Sequence, residues 1–351
     1  MKSGSKSSED ILPEYAYELP PELVANAPAE PRDSARLLVY GVGSDMVADA
    51  VFRDLADYIP KGALLVMNET KVVPARVVLS KKTGGKVEIL FSVNEWDKAS
   101  DEVSGISDRK LVAGDSLFFD GCQICSVVGQ DENIFAFKLA LAPAGFLRFL
   151  ESSGVMPVPK YIKDSPLSET EIKERYQTTF AKNPGSIAAP TASLHFTDAV
   201  FKKLRVKGVE TAFLTLHVGA GTFAPVTDRE IGSGKLHEEF FTVPEDVRAA
   251  IKKAKREGRP VIAVGTTALR ALESSARGAE ISTDIFIKKP FAFKVADGLI
   301  TNFHVPRSSL MCLVDAFLDF KESPKGILDI YRHAIEGRYR FYSFGDAMFI
   351  L

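Results

Sequence analysis

With 351 residues, 46% of them hydrophobic and 26% charged, the chain is long enough for one large domain or two around a full core, which excludes a fibrous or wholly disordered class. A formal net charge of -2 excludes a chain-wide attraction to nucleic acid, so any such site must be a local patch. Three cysteines, Cys122, Cys125 and Cys312, exclude a disulfide scaffold and point to a reducing compartment.

Met1–Asp10 is rich in Ser and Lys and lacks the apolar core of a secretory signal, so residues 1–10 read as a disordered leader. No apolar run approaches the ~18–20 residues that span a bilayer. The cytoplasm is therefore the expected compartment, with no membrane partner. Arg36–Tyr40 and Ala63–Met67 are short apolar runs of strand type. Phe52–Ile59 between them suits a helix stopped by Pro60-Lys61-Gly62. Then the texture changes. Val72–Leu79, Gly85–Val93, Lys110–Phe119, Gln123–Val128 and Ile134–Leu141 are short and rich in Val, Ile and Phe. This spacing predicts a small antiparallel barrel or sandwich, closed by a helix over Ala144–Ser153.

After about Pro157, helices and strands alternate again. Thr197 is placed to cap a helix ending at Gly208. Val209–Val218 reads as a buried strand. Pro244–Gly258 reads as a helix, with proline at its start and glycine at its end. Pro260–Val264 is a strand, Thr266–Ala276 a helix opening at its end, and Ser308–Phe320 another helix. The expected fold is an α/β main domain, residues 11–72 and 156–351, with an all-β, barrel-like domain inserted at 73–155.

Two stretches carry candidate chemistry. Gly185-Ser-Ile-Ala-Ala-Pro-Thr-Ala-Ser-Leu-His-Phe-Thr197 contains His195, and Thr215-Leu-His-Val-Gly-Ala-Gly-Thr222 contains His217. Glycines at a strand end let a ligand approach the backbone, and a histidine there titrates near neutral pH. Two such stretches within about twenty-five residues suggest one pocket. The bland alternative for each histidine is a satisfied core residue. Thr266 and Thr267 open a helix at the end of a strand, with Arg270 one turn on, where α/β folds bind ligands; a plain helix cap is the rival. His237 stands beside Glu238 and Glu239, which could orient it or hold it protonated; an exposed charged loop is the rival. Asp297, Asn302 and His304 crowd one short segment, where Asp297-Gly298 could equally turn a hairpin.

Other features argue against sites. Cys122 and Cys125 form a single C-x-x-C with no second pair, so no metal is expected. Gly219-Ala-Gly221 does not open a dinucleotide fingerprint. Lys202–Lys207 and Lys252–Arg259 are basic clusters, by default solvated helix surface, that together could form a phosphate-binding stripe.

In order, Tyr17-Glu-Leu-Pro-Pro-Glu-Leu, Pro31-Arg-Asp-Ser-Ala-Arg, Met67-Asn-Glu-Thr-Lys-Val-Val-Pro-Ala-Arg76, Gly85-Lys-Val-Glu-Ile-Leu, the two histidine stretches, Val264–Ser274, Thr283-Asp-Ile-Phe-Ile, Asp297–Leu310 and Tyr339-Arg-Phe-Tyr-Ser-Phe-Gly-Asp-Ala-Met348 cover nearly the whole chain after the leader. This set of blocks resembles the S-adenosylmethionine:tRNA ribosyltransferase-isomerase family of queuosine biosynthesis. Departures are small: Ser193 stands where the pattern usually has glycine, and Lys288-Lys-Pro-Phe-Ala replaces a more usual stretch containing glycine and aromatic residues.

The resemblance implies a specific reaction. The family moves and isomerises the ribosyl part of S-adenosylmethionine onto 7-aminomethyl-7-deazaguanine, the wobble base of tRNAs with a GUN-type anticodon. The product is epoxyqueuosine; adenine and methionine leave. S-adenosylmethionine is thus a consumed substrate, no cofactor is implied, and a monomer is expected. The amine must be neutral, a base must take a C5′ proton beside the sulfonium, and an acid helps adenine depart. His217 and His195 are the leading candidates, supported by Glu239, Asp297 and His304. Gly219, Gly221 and Thr222 are expected to contact the sulfonium substrate. Thr266, Thr267, Arg270 and Asn302 are expected to bind substrate, Arg270 through a tRNA phosphate or the methionine carboxylate.

Two rivals remain. An S-adenosylmethionine-dependent RNA methyltransferase would show an early glycine-rich strand–helix turn followed by an acidic strand end, which is absent here. A non-catalytic RNA-binding protein would show basic and aromatic stripes rather than buried histidines and glycine turns.

Overall fold

The computed structural model describes residues 12–97, 99–159, 161, 162, 164–219 and 226–351. The expected leader at 1–10 lies outside the described residues. In chain order, β1 (Arg36–Gly41), β2 (Met46–Val51), β3 (Leu64–Asn68) and β4 (Thr70–Val72) are followed by β5 (Arg76–Lys81), β6 (Lys86–Phe91), β7 (Glu102–Ser107), β8 (Ser116–Phe119), β9 (Cys122–Asp131) and β10 (Ile134–Leu139). Then come β11 (Asn183–Ser186), β12 (Glu210–Leu216), β13 (Lys235–Thr242), β14 (Val261–Val264), β15 (Ser282–Ile285), β16 (Gly298–Asn302) and β17 (Ala347–Ile350). The helices are α1 (Leu55–Tyr58), α2 (Pro143–Ser153), α3 (Glu169–Arg175), α4 (Asp198–Val206), α5 (Asp228–Ser233), α6 (Glu245–Arg256), α7 (Thr266–Ser275), α8 (Ser309–Phe320) and α9 (Ile327–Glu336).

Eleven strands outside β5–β10 form a nine-stranded sheet, ordered β15-β13-β12-β3-β14-β16-β17-β1-β2, and a separate β4–β11 pair. Its centre, β12-β3-β14-β16, is parallel; both flanks include antiparallel pairs. Central strands are covered on both faces, so they read as unbroken apolar runs. In β3, Leu64 and Val66 enter one core while Leu65 and Met67 enter the other. The first core is roofed by α6, α7, α8 and α9, the second by α1 and α4. The four central strands end at Leu216, Asn68, Val264 and Asn302, along one edge of the sheet.

Strands β5–β10 close into a six-stranded antiparallel barrel, ordered β10-β7-β6-β5-β8-β9. Its interior holds Phe91, Phe137 and Phe146 in edge-to-face contact, with Phe146 and Leu150 of α2 plugging one side. The chain enters the barrel after β4 and returns through β11, and these two strands pair in parallel. Gly154, after α2, lies against the Pro74 carbonyl, where a Cβ would sit 1.8 Å from the oxygen. Only glycine fits that closure.

Several details depart from expectation. Glu102–Ser107 is a barrel strand the sequence reading passed over, because its Ser and Gly mask the apolar alternation. Gly105 serves close packing there: a Cβ would stand 2.8 Å from the Leu90 carbonyl. Lys110–Phe119 is strand only from Ser116. Phe52–Ile59 is a 3-10 turn plus one helical turn. Strands β13, β15 and β17 were not anticipated either. Asp297-Gly298 turns no hairpin; it opens β16, which pairs in parallel with β14. Thr197 caps α4 as expected, accepting from the Val200 N–H at 3.3 Å. Cys125 packs in the barrel core, where burial pushes its thiol up to about 12, while Cys122 is exposed. Among the described residues, no cluster of His, Cys, Asp or Glu suits a metal, and no helix is long and apolar enough to cross a membrane.

Candidate functional site

Asn68 ends β3 with no exposure to solvent. Its Nδ2 donates to the Leu216 carbonyl at 2.9 Å and to Thr267 Oγ1 at 3.2 Å. Its Oδ1 accepts from the N–H groups of Leu216, at 3.0 Å, and Thr70, at 3.1 Å. A buried amide with all these bonds made fixes three chain segments relative to one another. It thereby sets the strand ends where two cavities open.

The first cavity, about 210 Å³, is lined by Ala189–Ala192, Val218, Gly265–Thr267, Thr301–Ser308 and Tyr342, among others. The start of α7 faces it. Gly265, with φ +90°, turns the chain from β14 into that helix, and no side chain caps the first turn. The rival reading, a plain cap by Thr266 or Thr267, is therefore not how this helix begins. Asn302 Oδ1 accepts from the Thr191 hydroxyl at 2.8 Å, and its Nδ2 donates to the Asp346 carbonyl at 3.1 Å. His304 is buried. Its Nε2 lies 3.1 Å from Thr301 Oγ1 and its Nδ1 3.3 Å from the Tyr331 hydroxyl. Desolvation pushes its pKa down to about 3, so the ring is neutral at pH 7. Tyr161 and Tyr342 flank the cavity with ring centroids 4.9 Å apart, and Tyr161 Oη is 2.6 Å from Ser343 Oγ.

The second cavity, about 220 Å³, lies between barrel and sheet. The barrel side supplies Ser92, Glu95, Ile106 and Ile134; the α/β side supplies Gly219, His237, Glu238, Glu239, Arg270 and Leu236, among others. Both cavities share Val226 and Leu310, so they adjoin. Arg270 is 5% and Glu239 2% exposed. Arg270 Nη1 donates to Glu239 Oε2, and Glu239 Oε1 accepts from the Gly219 N–H at 3.1 Å. Arg270 Nε and Nη2 have no hydrogen-bond partner among the described residues. Desolvation, with Glu238 and Glu239 nearby, holds the Glu95 carboxyl above the usual carboxylate range. His237 is exposed, with Nε2 3.7 Å from Glu230 Oε1.

The sequence candidates therefore sort by position. Thr266, Thr267, Asn302 and His304 line the first cavity; Gly219, Glu239 and Arg270 line the second. Gly221 and Thr222 lie outside the described residues. The two histidine stretches do meet, through the Ile187 N–H donating to the Val218 carbonyl at 3.0 Å. Yet neither histidine is among the described residues that line these two cavities. His217 turns its ring onto Gly185, with Nδ1 2.8 Å from Thr70 Oγ1. Alternation explains this: Leu216 and Val218 face the core, and His217 the other side.

Two candidates sit apart from both cavities. His195 is a core residue, packed 5.0 Å from the Phe52 ring, with Nε2 unpartnered among the described residues. Desolvation pushes its pKa down to about 4, against the opposing effect of Asp346. Asp297 sits at the opening of β16, the wrong end of the sheet, roughly 16 Å by strand rise from Asn302. It accepts from the Val261 N–H at 2.8 Å and pairs with Lys255 at 2.7 Å. That ion pair also takes Lys255 out of the basic stripe. In the other cluster Lys203 and Lys207 bond carbonyls of residues 53–57.

Sequence reasoning missed Asn68, Glu95, Thr191, Tyr161 and Tyr342. No local pattern marks them, because each matters through a partner distant in the chain. Asn68, Thr191 and Tyr342 fell inside blocks singled out for their resemblance; Glu95 and Tyr161 did not.

The family model described as queuosine biosynthesis protein matches residues 12–350. A Legionella pneumophila (strain Corby) protein named S-adenosylmethionine:tRNA ribosyltransferase-isomerase is 44% identical over 350 residues, covering 96% of this chain and 99% of the relative. A Thermotoga maritima protein of the same name is 42% identical over 346 residues, covering 96% and 99%. A crystal structure titled S-adenosylmethionine tRNA ribosyltransferase, from Thermotoga maritima, aligns with a TM-score of 0.53 at 33% identity, covering 96% of this chain and 100% of that one.

Proposed function

This chain belongs to the queuosine biosynthesis protein family, and from that premise we propose how its paired cavities serve the reaction. The protein is an S-adenosylmethionine:tRNA ribosyltransferase-isomerase. It consumes S-adenosylmethionine, places the rearranged ribosyl group on the aminomethyl nitrogen of a 7-deazaguanine in tRNA, and releases adenine and methionine. The finer assignments are ours: a GUN-type anticodon, a monomer in the cytoplasm, no cofactor, and a barrel inserted at 73–155.

The observation that carries the site assignment is the junction of the two cavities at Val226 and Leu310, beside the ends of the parallel strands. That is where open α/β sheets take ligands. The two reactants must meet, and adjoining cavities of different chemistry let them. The first, with apolar walls, threonines and Asn302, suits adenosine. His304, neutral at working pH and with its ring nitrogens engaged by Thr301 and Tyr331, forms part of the wall and is not a proton donor. The second, where Glu95, Glu238 and Glu239 gather, suits cationic groups near the sulfonium and the amine.

His217 remains our candidate for proton transfer. Its ring faces away from both cavities, so this role requires the reacting ribosyl group to approach from the side of Thr70 and Gly185. Thr70 would orient it by holding Nδ1. His195 and Asp297 are left with structural roles.

The test is to incubate the protein with S-adenosylmethionine and tRNA carrying the aminomethyl-deazaguanine, then analyse small molecules by mass spectrometry. Stoichiometric adenine and methionine are expected. Release of S-adenosylhomocysteine would mean methyl transfer, and binding without turnover would leave an RNA-binding protein.

A further inference from the structure

Arg270 presents an unmet demand inside the second cavity. Its guanidinium has two usable edges. Nη1 donates to Glu239, itself anchored by the Gly219 N–H. Nε and Nη2, which together form the side-on edge, have no partner among the described residues and are shielded from bulk water. A buried charged donor without a partner is costly. Such a group in a native fold calls for an explanation, and a bound ligand that completes the set is one.

The shape of the edge narrows the ligand. Nε–H and Nη2–H point in parallel and match two oxygens of one planar acceptor, the side-on bidentate pairing of arginine with carboxylate. The surroundings narrow it further. Glu95, Glu238 and Glu239 line the same cavity, with Glu230 at its rim. A phosphodiester, anionic and flanked by bulky nucleosides, would meet those carboxylates in a site built around a side chain 5% exposed. A zwitterion brings its own compensating cation. We propose that the Nε/Nη2 edge of Arg270 holds the α-carboxylate of the methionyl end of S-adenosylmethionine, with Glu95 and Glu238 facing its α-ammonium. This rests on the assignment of S-adenosylmethionine as substrate.

The assignment also divides the substrate between the cavities. With the amino-acid end on Arg270, the sulfonium lies near Val226 and Leu310, and the adenosine extends toward Thr266, Asn302 and His304. Glu239 is then a positioning residue: it orients the guanidinium so that the side-on edge faces the ligand.

The experiment compares equilibrium binding of S-adenosylmethionine with that of its decarboxylated analogue, which keeps the ammonium, sulfonium and adenosine. For the parent protein, loss of the carboxylate should weaken binding by roughly 10- to 100-fold. Arg270→Lys keeps the charge opposite Glu239 but not the fork, and should bring the ratio of the two dissociation constants close to one while the analogue binds as before. Arg270→Gln with Glu239→Gln removes both buried charges and should act alike. Equal parent affinities for the two ligands would overturn the proposal without any variant being made. So would a variant that keeps full discrimination, or one that loses tRNA affinity with discrimination intact. A parent protein that binds neither ligand would instead remove the substrate assignment itself.

Discussion

His217 lies flat against Gly185: a β-carbon on Gly185 would stand 2.8 Å from Cε1 of the imidazole and 2.9 Å from both ring nitrogens. Glycine is what lets the ring occupy this position beside Thr70. If His217 moves a proton in the reaction, His217→Ala should slow the chemical step by roughly 10²-fold or more. Fold and S-adenosylmethionine binding should survive. Gly185→Ala, which displaces the ring without deleting it, should also cost activity, on the order of 10²-fold for a ~1 Å misplacement. Single-turnover adenine release, with a thermal melt and a binding isotherm, separates these effects. Parent-like turnover in His217→Ala, or loss through unfolding alone, would return His217 to the core.

Two buried imidazoles make stability depend on pH. An unfolded histidine titrates near 6.5; in the fold, burial pushes His195 down to about 4 and His304 down to about 3. Both folded values are lowered, so below pH 6.5 the unfolded chain binds more protons. Their stability contribution is complete above about pH 6.5 and declines as pH falls, by up to about 1.4 kcal/mol per pH unit for each histidine. Urea unfolding at pH 7.5, 6.5, 5.8 and 5.2 should show this before most carboxylates titrate. The pair His195→Gln and His304→Gln should flatten the slope. An unchanged slope in the double variant would show that other groups carry it.

Gly219 meets the barrel. A Cβ there would fall 2.7 Å from Asn94 Nδ2, and Asn94 is itself buried. Gly219→Ala should therefore destabilise by about 1–3 kcal/mol through overpacking and weaken substrate binding in the second cavity. Asn94→Ala should restore part of the loss when combined with it. A Gly219→Ala protein with parent Tm and affinity would mean that the barrel side yields freely.

The basic helices give a sharper expectation than their composition did. Lys255 is held by Asp297, so Lys255→Glu should cost stability, within about 1 kcal/mol for a half-exposed pair, rather than tRNA affinity. Lys252 and Lys253 are exposed on α6. If α6 meets phosphate, Lys252→Glu with Lys253→Glu should weaken tRNA binding more than S-adenosylmethionine binding, and lower the log–log salt slope by roughly 0.7–0.9 per contact. Equal affinities and slopes would move the tRNA face elsewhere.

The sequence by itself determined the two architectures, the sheet's central strands and the family. Those signals are local. Val261–Val264 is apolar throughout because both faces are covered, and the short Val/Phe-rich runs between 76 and 139 alternate because a barrel has one inside. Arg270 was legible as a residue one turn into a helix that opens at a strand end, and Glu239 only as a carboxylate beside His237. Tertiary structure decided which candidates share a site. His195 and His304 both sit in apolar segments, but of the two His304 lines the first cavity while His195 packs against Phe52. His217 sits just before a pair of glycines, yet strand alternation turns its ring away from the two cavities toward Gly185. Asp297 and Asn302 are five residues apart in one segment, and a strand between them puts them at opposite ends of the sheet. Asn68 and Glu95 gain their roles from partners far along the chain. A strand fixes which way each side chain points, but the partner it meets depends on the register of every other strand, and no stretch of sequence records that alone.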